Sequence, residues 1–156
     1  MVVSGVASQE IRTDCSNDAS FWVAMEQVWV EFNAEEEKPL VIAAWVAKSP
    51  EQRARGFQGV CPALVTERTL LFSFPTPVHV NFHMTGVAVP LDIAFIDESR
   101  QVIDIQRMAL QESNQPMRYY RPNAKFYFAL ETASGRLDQL RLNPTLWRMR
   151  VTNRNY

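Results

Sequence analysis

Two cysteines and two histidines are all that this chain offers in the way of thiolate and imidazole metal ligands. Neither cysteine stands in a C-x-x-C pair, so a zinc or redox centre has no framework, and no metal and no cofactor are expected. Cys15 and Cys61 are too few for a disulfide scaffold. They are expected to be two ordinary thiols in a reducing compartment, with a Cys15–Cys61 bridge as the alternative. An excess of one charge is also missing: 16 Lys and Arg stand against 17 Asp and Glu, a formal net charge of -1. No overall field therefore draws the chain to nucleic acid or to anionic lipid. No apolar run approaches the roughly 20 residues that span a bilayer, and the opening residues 1–7 have neither the length nor the basic leader of a signal peptide. A cytoplasmic or virion location follows as the expectation. A phosphate-binding loop, a dinucleotide fingerprint and a G-x-S-x-G elbow are absent as well.

What is present is β patterning. The chain's 156 residues fit one domain able to bury a real core. Residues 1–26 read as an N-terminal extension or arm, with 18–26 either a short helix or extended. Residues 27–156 read as a single β-domain. Val28, Val30 and Phe32 alternate with polar or amphipathic neighbours, as a half-buried strand requires. Leu40–Ala47 is short and β-branched, a strand buried on both faces for much of its length. Further runs at 69–74, 78–84, 92–96, 102–110, 125–131 and 146–151 have strand character, with Phe126, Phe128 and Leu130 on one face and Arg148 and Arg150 turned outward beside Trp147 and Met149. Prolines 62, 75, 77, 90, 116, 122 and 144 are expected between these runs. The sharpest local signal is Ser49-Pro50-Glu51-Gln52-Arg53-Ala54-Arg55-Gly56. It predicts a two-turn helix with a Ser49–Gln52 capping box, Pro50 at the first helical position and Gly56 ending it. The fold class expected is mostly β: a jelly-roll-like β-sandwich or partly closed barrel with one or two short helices.

Residues 51–151 resemble the domain-of-unknown-function family 192 (DUF192). Arg53-Ala54-Arg55-Gly56-Phe57 is similar to that family's R-x-x-G-L-M segment, and Leu70-Leu71-Phe72-Ser73-Phe74 to its M-L-F-x-F strand. Phe82-His83-Met84-Thr85-Gly86 through Pro90-Leu91-Asp92-Ile93-Ala94-Phe95-Ile96-Asp97 resembles F-W-M-K-N-T-x-x-P-L-D-I-x-F-I-D. Ala129-Leu130-Glu131 followed by Gly135 echoes L-E-x-x-x-G. His83 replaces a usual tryptophan, Thr85-Gly86 a lysine-asparagine pair, Gln58 a methionine, and Asn143-Pro144 a glycine-aspartate pair. The resemblance implies a small jelly-roll-like sandwich and no settled activity.

Few residues offer chemistry. His79, Asn81 and His83 share one face if 78–84 is a strand, but His79 and His83 are then roughly 13 Å apart and cannot share a metal ion. Asp92, after Pro90, is placed to pin its loop through backbone N–H groups rather than to act as an acid or base. Arg53 is assigned a structural bond, with Glu131 a candidate partner. Tyr119, Tyr120, Arg148 and Arg150 suit a protein-contact surface better than a nucleic-acid one. The expected function is therefore non-enzymatic: a β-domain that docks on protein subunits of a larger assembly, its own copies or others, such as a capsid decoration or tail-associated component of a virion. The alternative is a small-ligand or enzymatic site around His79, His83 and Asp92.

Overall fold

A computed structural model describes residue 15 and residues 19–153. In chain order these form α1 (Ala19–Val23), β1 (Glu26–Asn33), β2 (Leu40–Ala47), α2 (Pro50–Arg55), α3 (Pro62–Glu67), β3 (Leu70–Val78), β4 (Leu91–Ile96), β5 (Val102–Met108), β6 (Phe126–Ala133), α4 (Asp138–Arg141), a 3-10 turn (Pro144–Leu146) and β7 (Arg148–Asn153). The mostly-β architecture is the expected one, built as one sheet of order β5-β4-β6-β3-β2-β1-β7 rather than two. The sheet curls into a partly closed barrel. Its outermost strands meet where Gln101 bridges Arg148, with Val102 N–H donating to the Trp147 carbonyl at 3.0 Å and Met149 N–H to that of Arg100 at 2.8 Å.

All neighbouring strands are antiparallel except β2 and β3. A parallel pair needs a crossover, and α2 and α3 supply it. The α2 signal is read off the sequence directly. Ser49 Oγ accepts from Gln52 N–H at 3.1 Å, Gln52 Oε1 accepts from Ser49 N–H at 3.1 Å, and Gly56 follows with φ 50°. α3 was not anticipated.

Both faces of the sheet are covered. One face packs Val28, Val30, Phe32, Leu71, Ala94, Ile96, Leu130 and Trp147 with Leu137 and Leu140 around α4. The other packs Leu70, Phe72, Leu91, Ile93, Phe95, Phe126 and Ala129 beneath the helices and residues 79–90. β4, in the middle of this arrangement, is buried at every position. Trp22 and Met25, which the sequence assigns to an extension, belong to this second core. α1 resolves the choice between helix and extended chain in favour of helix for Ala19–Val23, and β1 begins at Glu26; residues 1–14 and 16–18 of the expected arm lie outside the described residues.

Three expectations need correction. Residues 79–84 are not a strand: only Phe82 pairs, with Tyr120, through two backbone bonds of 2.8 Å. The segment leaves the sheet because Phe82 drives its ring among Phe72, Phe95 and Phe126, at centroid distances of 5.2, 5.8 and 6.0 Å. Pro75 and Pro77 lie inside β3, not between strands. They occupy the stretch between Ser73 and Val78 where the β3–β6 register shifts, so no ladder bond is asked of a residue without an N–H. Cys15 and Cys61 are joined in a disulfide, with Cα atoms 5.8 Å apart. Folding brings Cys15 against Cys61 at the start of α3, a contact that spacing in the sequence does not reveal.

Candidate functional site

The C-terminal end of α2, the segment 80–83 and the outer face of β3 and β6 enclose an open cleft of about 260 Å³. Arg53, Gly56, Phe72, Phe74, Asn81, Phe82, His83 and Glu131 line it. Glu131 forms its floor. Its Cα stands opposite Leu70 of β3 and Ile93 of β4, both fully buried. The residue is 5% exposed, and its carboxyl has no hydrogen-bond partner among the described residues. Burial without compensation pushes its pKa up to about 8. The acid is thus mostly protonated at neutral pH.

Gly56 makes this floor reachable. A Cβ at position 56 would stand 3.2 Å from Phe72 Cζ and 3.9 Å from Glu131 Oε2. Its φ of 50° with ψ of −131° belongs to a backbone region that is essentially glycine's own.

Arg53 lines the same cleft but does not pair with Glu131. Its Nη1 donates to the carbonyls of Lys48 and, at 3.2 Å, Ser73, and its guanidinium lies over the Phe74 ring at 5.2 Å. The expected Arg53–Glu131 bond is therefore replaced by bonds that tie α2 to β3. Among the described residues Arg53 has no acidic partner.

Of the residues singled out from sequence, Asn81 and His83 reach the cleft and His79 does not. The His79 Nε2 lies 2.7 Å from the Pro122 carbonyl. Asp92 is on the opposite face of the sheet from Ile93, so it cannot share a site with His83. It is fully buried, accepts from Gly135 N–H at 2.8 Å and Ser134 Oγ at 3.2 Å, and forms an ion pair with Arg107 at 3.0 Å. Those bonds fasten the turn after β6 to β4. Pro90 precedes this strand, and its carbonyl accepts from Ser134 N–H at 3.1 Å. Arg150 pairs with Glu31 at 3.1 Å, Arg148 donates to the Ser99 carbonyl at 3.3 Å, and Tyr120 is held by Phe82 while Tyr119 is exposed. These four do not line the cleft.

The sequence singled out Glu131 as a structural residue and a candidate partner for Arg53, not as the floor of a cleft, because alternation along β6 places it opposite Leu130 without saying what covers that face. The signal available was a lone acid closing the apolar run Phe126–Leu130, with small Ala129 and Ala133 on its own face. No group of three or more His, Cys, Asp or Glu among the described residues is placed to hold a metal ion.

This geometry defines a class: a partly closed β-barrel with a small cleft under its crossover helix, floored by a buried acid. The DUF192 family model, described as an uncharacterized ACR, matches residues 30–145. The chain belongs to the DUF192 family. It is 29% identical over 86 residues to a UPF0127 protein of Thermococcus sibiricus, a match covering 54% of this chain and 52% of that protein. The chain thus spans about half the length of the curated relative it matches. Two solved structures share the fold. A protein of Sinorhizobium meliloti 1021, described as a putative transcription regulator, superposes with TM-score 0.70 at 18% identity over 81% of this chain and 95% of its own. A protein of unknown function from Novosphingobium aromaticivorans superposes with TM-score 0.67 at 20% identity over 80% and 84%. Within the family pattern, the Asn-to-Gly departure at Gly86 keeps the backbone. Its φ is 72°, a left-handed value that asparagine and glycine both tolerate, and its carbonyl accepts from Gly59 N–H at 2.9 Å.

Proposed function

We propose that this protein is a small-ligand-binding domain whose site is the cleft over Glu131. One observation carries this: a carboxyl group in an apolar cleft, almost wholly buried and without a partner. The carboxyl opens on the cleft rather than being sealed in the core, so a group entering the cleft can supply the partner that the protein does not. A hydrophobic residue at 131 would be cheaper for stability alone. The aromatic walls Phe72, Phe74 and Phe82 with a few convergent polar groups have the composition of a ligand pocket.

Docking on subunits of an assembly, the first expectation from the sequence, would use Tyr119 and the outward arginines of β7. It has no comparable buried group behind it. The Cys15–Cys61 bridge supports work in an oxidising compartment rather than the reducing cytoplasm. No helix among the described residues is long and apolar enough to cross a membrane.

The test is a chemically broad fragment screen read by amide chemical shifts. Binders are expected to move Gly56, Asn81, His83 and Glu131 together, and the same fragments should lose their effect in Glu131→Leu. Binders that move other surfaces while leaving the cleft still would overturn the reading.

A further inference from the structure

Resting on the cleft as a binding site, we propose that its ligand is a small zwitterion of the α-amino-acid type. The ammonium group meets Glu131 at the floor, and the carboxylate meets Arg53 on the less buried wall. Two groups able to carry opposite charge line one cleft and yet form no ion pair with each other. Neither finds a counter-charge among the described residues. Only Nη1 of Arg53 is engaged, by the carbonyls of Lys48 and Ser73, which leaves the remaining donors of its planar fork for a carboxylate.

Charge complementarity narrows the ligand. A simple anion that satisfies Arg53 leaves the buried acid as it was. A simple cation that satisfies Glu131 meets an uncompensated guanidinium. A neutral polar molecule can hydrogen-bond both groups but leaves the charge of the guanidinium without a counter-charge. One small molecule carrying both charges answers both, and Phe72, Phe74 and Phe82 line the cleft with apolar surface for a side chain. Asn81 and His83 add hydrogen-bonding groups at the edge.

Binding of the ammonium is linked to loss of a proton from Glu131, which burial holds protonated up to about pH 8. Affinity must then rise with pH from about 6 toward that value, by at most tenfold per unit. Arg53, Arg55 and His83 are the charged or titratable groups facing the carboxyl; β3 and β4 present only apolar side chains to it. His83→Gln is the control that separates a histidine titration from that of Glu131.

The experiment titrates the full chain, disulfide intact, with glycine, L-leucine and L-phenylalanine at millimolar concentration. It then tests the amine, the carboxylic acid and the amide that share each side chain. At least one amino acid is expected to bind tenfold or more tighter than its three counterparts. The gain should disappear in Glu131→Gln and fall in Arg53→Lys, which keeps the charge and loses the fork. The pH slope should survive in His83→Gln. Equal binding of an amine, acid or amide would overturn the zwitterion while leaving a binding cleft. Cleft resonances that respond to none of these compounds, but do respond to other fragments, would do the same. Resonances that respond to nothing would remove both readings.

Discussion

A carboxylic acid among phenylalanines ionises reluctantly, and the fold must bear the cost when it does. Glu131 is held protonated to about pH 8 in the folded state, against an ordinary 4.5. Between those values the unfolded chain releases its proton and the folded chain keeps it, so stability falls as pH rises. Glu131→Gln should flatten this decline. Relative to wild type, the variant should gain of the order of a few kcal/mol between about pH 4.5 and 8, measured by urea denaturation at a series of pH values. Parallel curves for the two proteins would mean that the carboxyl is solvated. Asp92 presents the opposite case, a buried acid with every bond made. Asp92→Ala would leave the Gly135 N–H and the Ser134 hydroxyl without their acceptor, while Arg107 keeps Asp138, and should cost about 1–3 kcal/mol without altering the cleft, which lies across the sheet. Gly56→Ala should destabilise by about 1–3 kcal/mol, because its φ/ψ is closed to residues with a Cβ. It should also displace Phe72, visible in the ring's NMR shifts.

At the level of elements, the crossover helices and α1 act as one layer clamped over the sheet. The Phe21 ring packs under Arg55 at 4.1 Å, and Arg68 lies over both Trp22 and Trp45, at 4.7 and 4.6 Å. The Cys15–Cys61 bridge closes this layer across a sequence separation of 46 residues. In the chain-entropy account such a loop stabilises by about 4 kcal/mol. Cys15→Ser is expected to lower the melting temperature by a comparable fraction, and wild type under reducing conditions should match it. If reductant left the melting temperature unchanged, the bridge would contribute nothing. Pro75 and Pro77 show why element boundaries resist reading: a proline is excluded from a paired strand, not from a bulge within one, and the bulge exists because β6 runs alongside.

The molecule as a whole is one sheet whose two edges nearly meet. Trp147 stands at that seam, buried, with its carbonyl accepting from Val102. Trp147→Ala should cost about 3–5 kcal/mol and should accelerate hydrogen exchange at Val102 and Met149 before other strand amides. Uniform acceleration would mean that the seam opens only with global unfolding.

Alternation of apolar residues and capping chemistry around Ser49 and Pro50 are local, and the sequence by itself determined what rests on them: most of the strands, where α2 begins, that the protein is mostly β. The tertiary structure alone decided that the strands form a single curled sheet with a parallel pair, that Cys15 reaches Cys61, that residues 79–84 abandon strand geometry, and that Glu131 is buried. A period of two tells which residues share a face but not whether that face meets water. When helices and a loop cover the second face as well, a glutamate that alternation would give to solvent becomes the floor of a cleft.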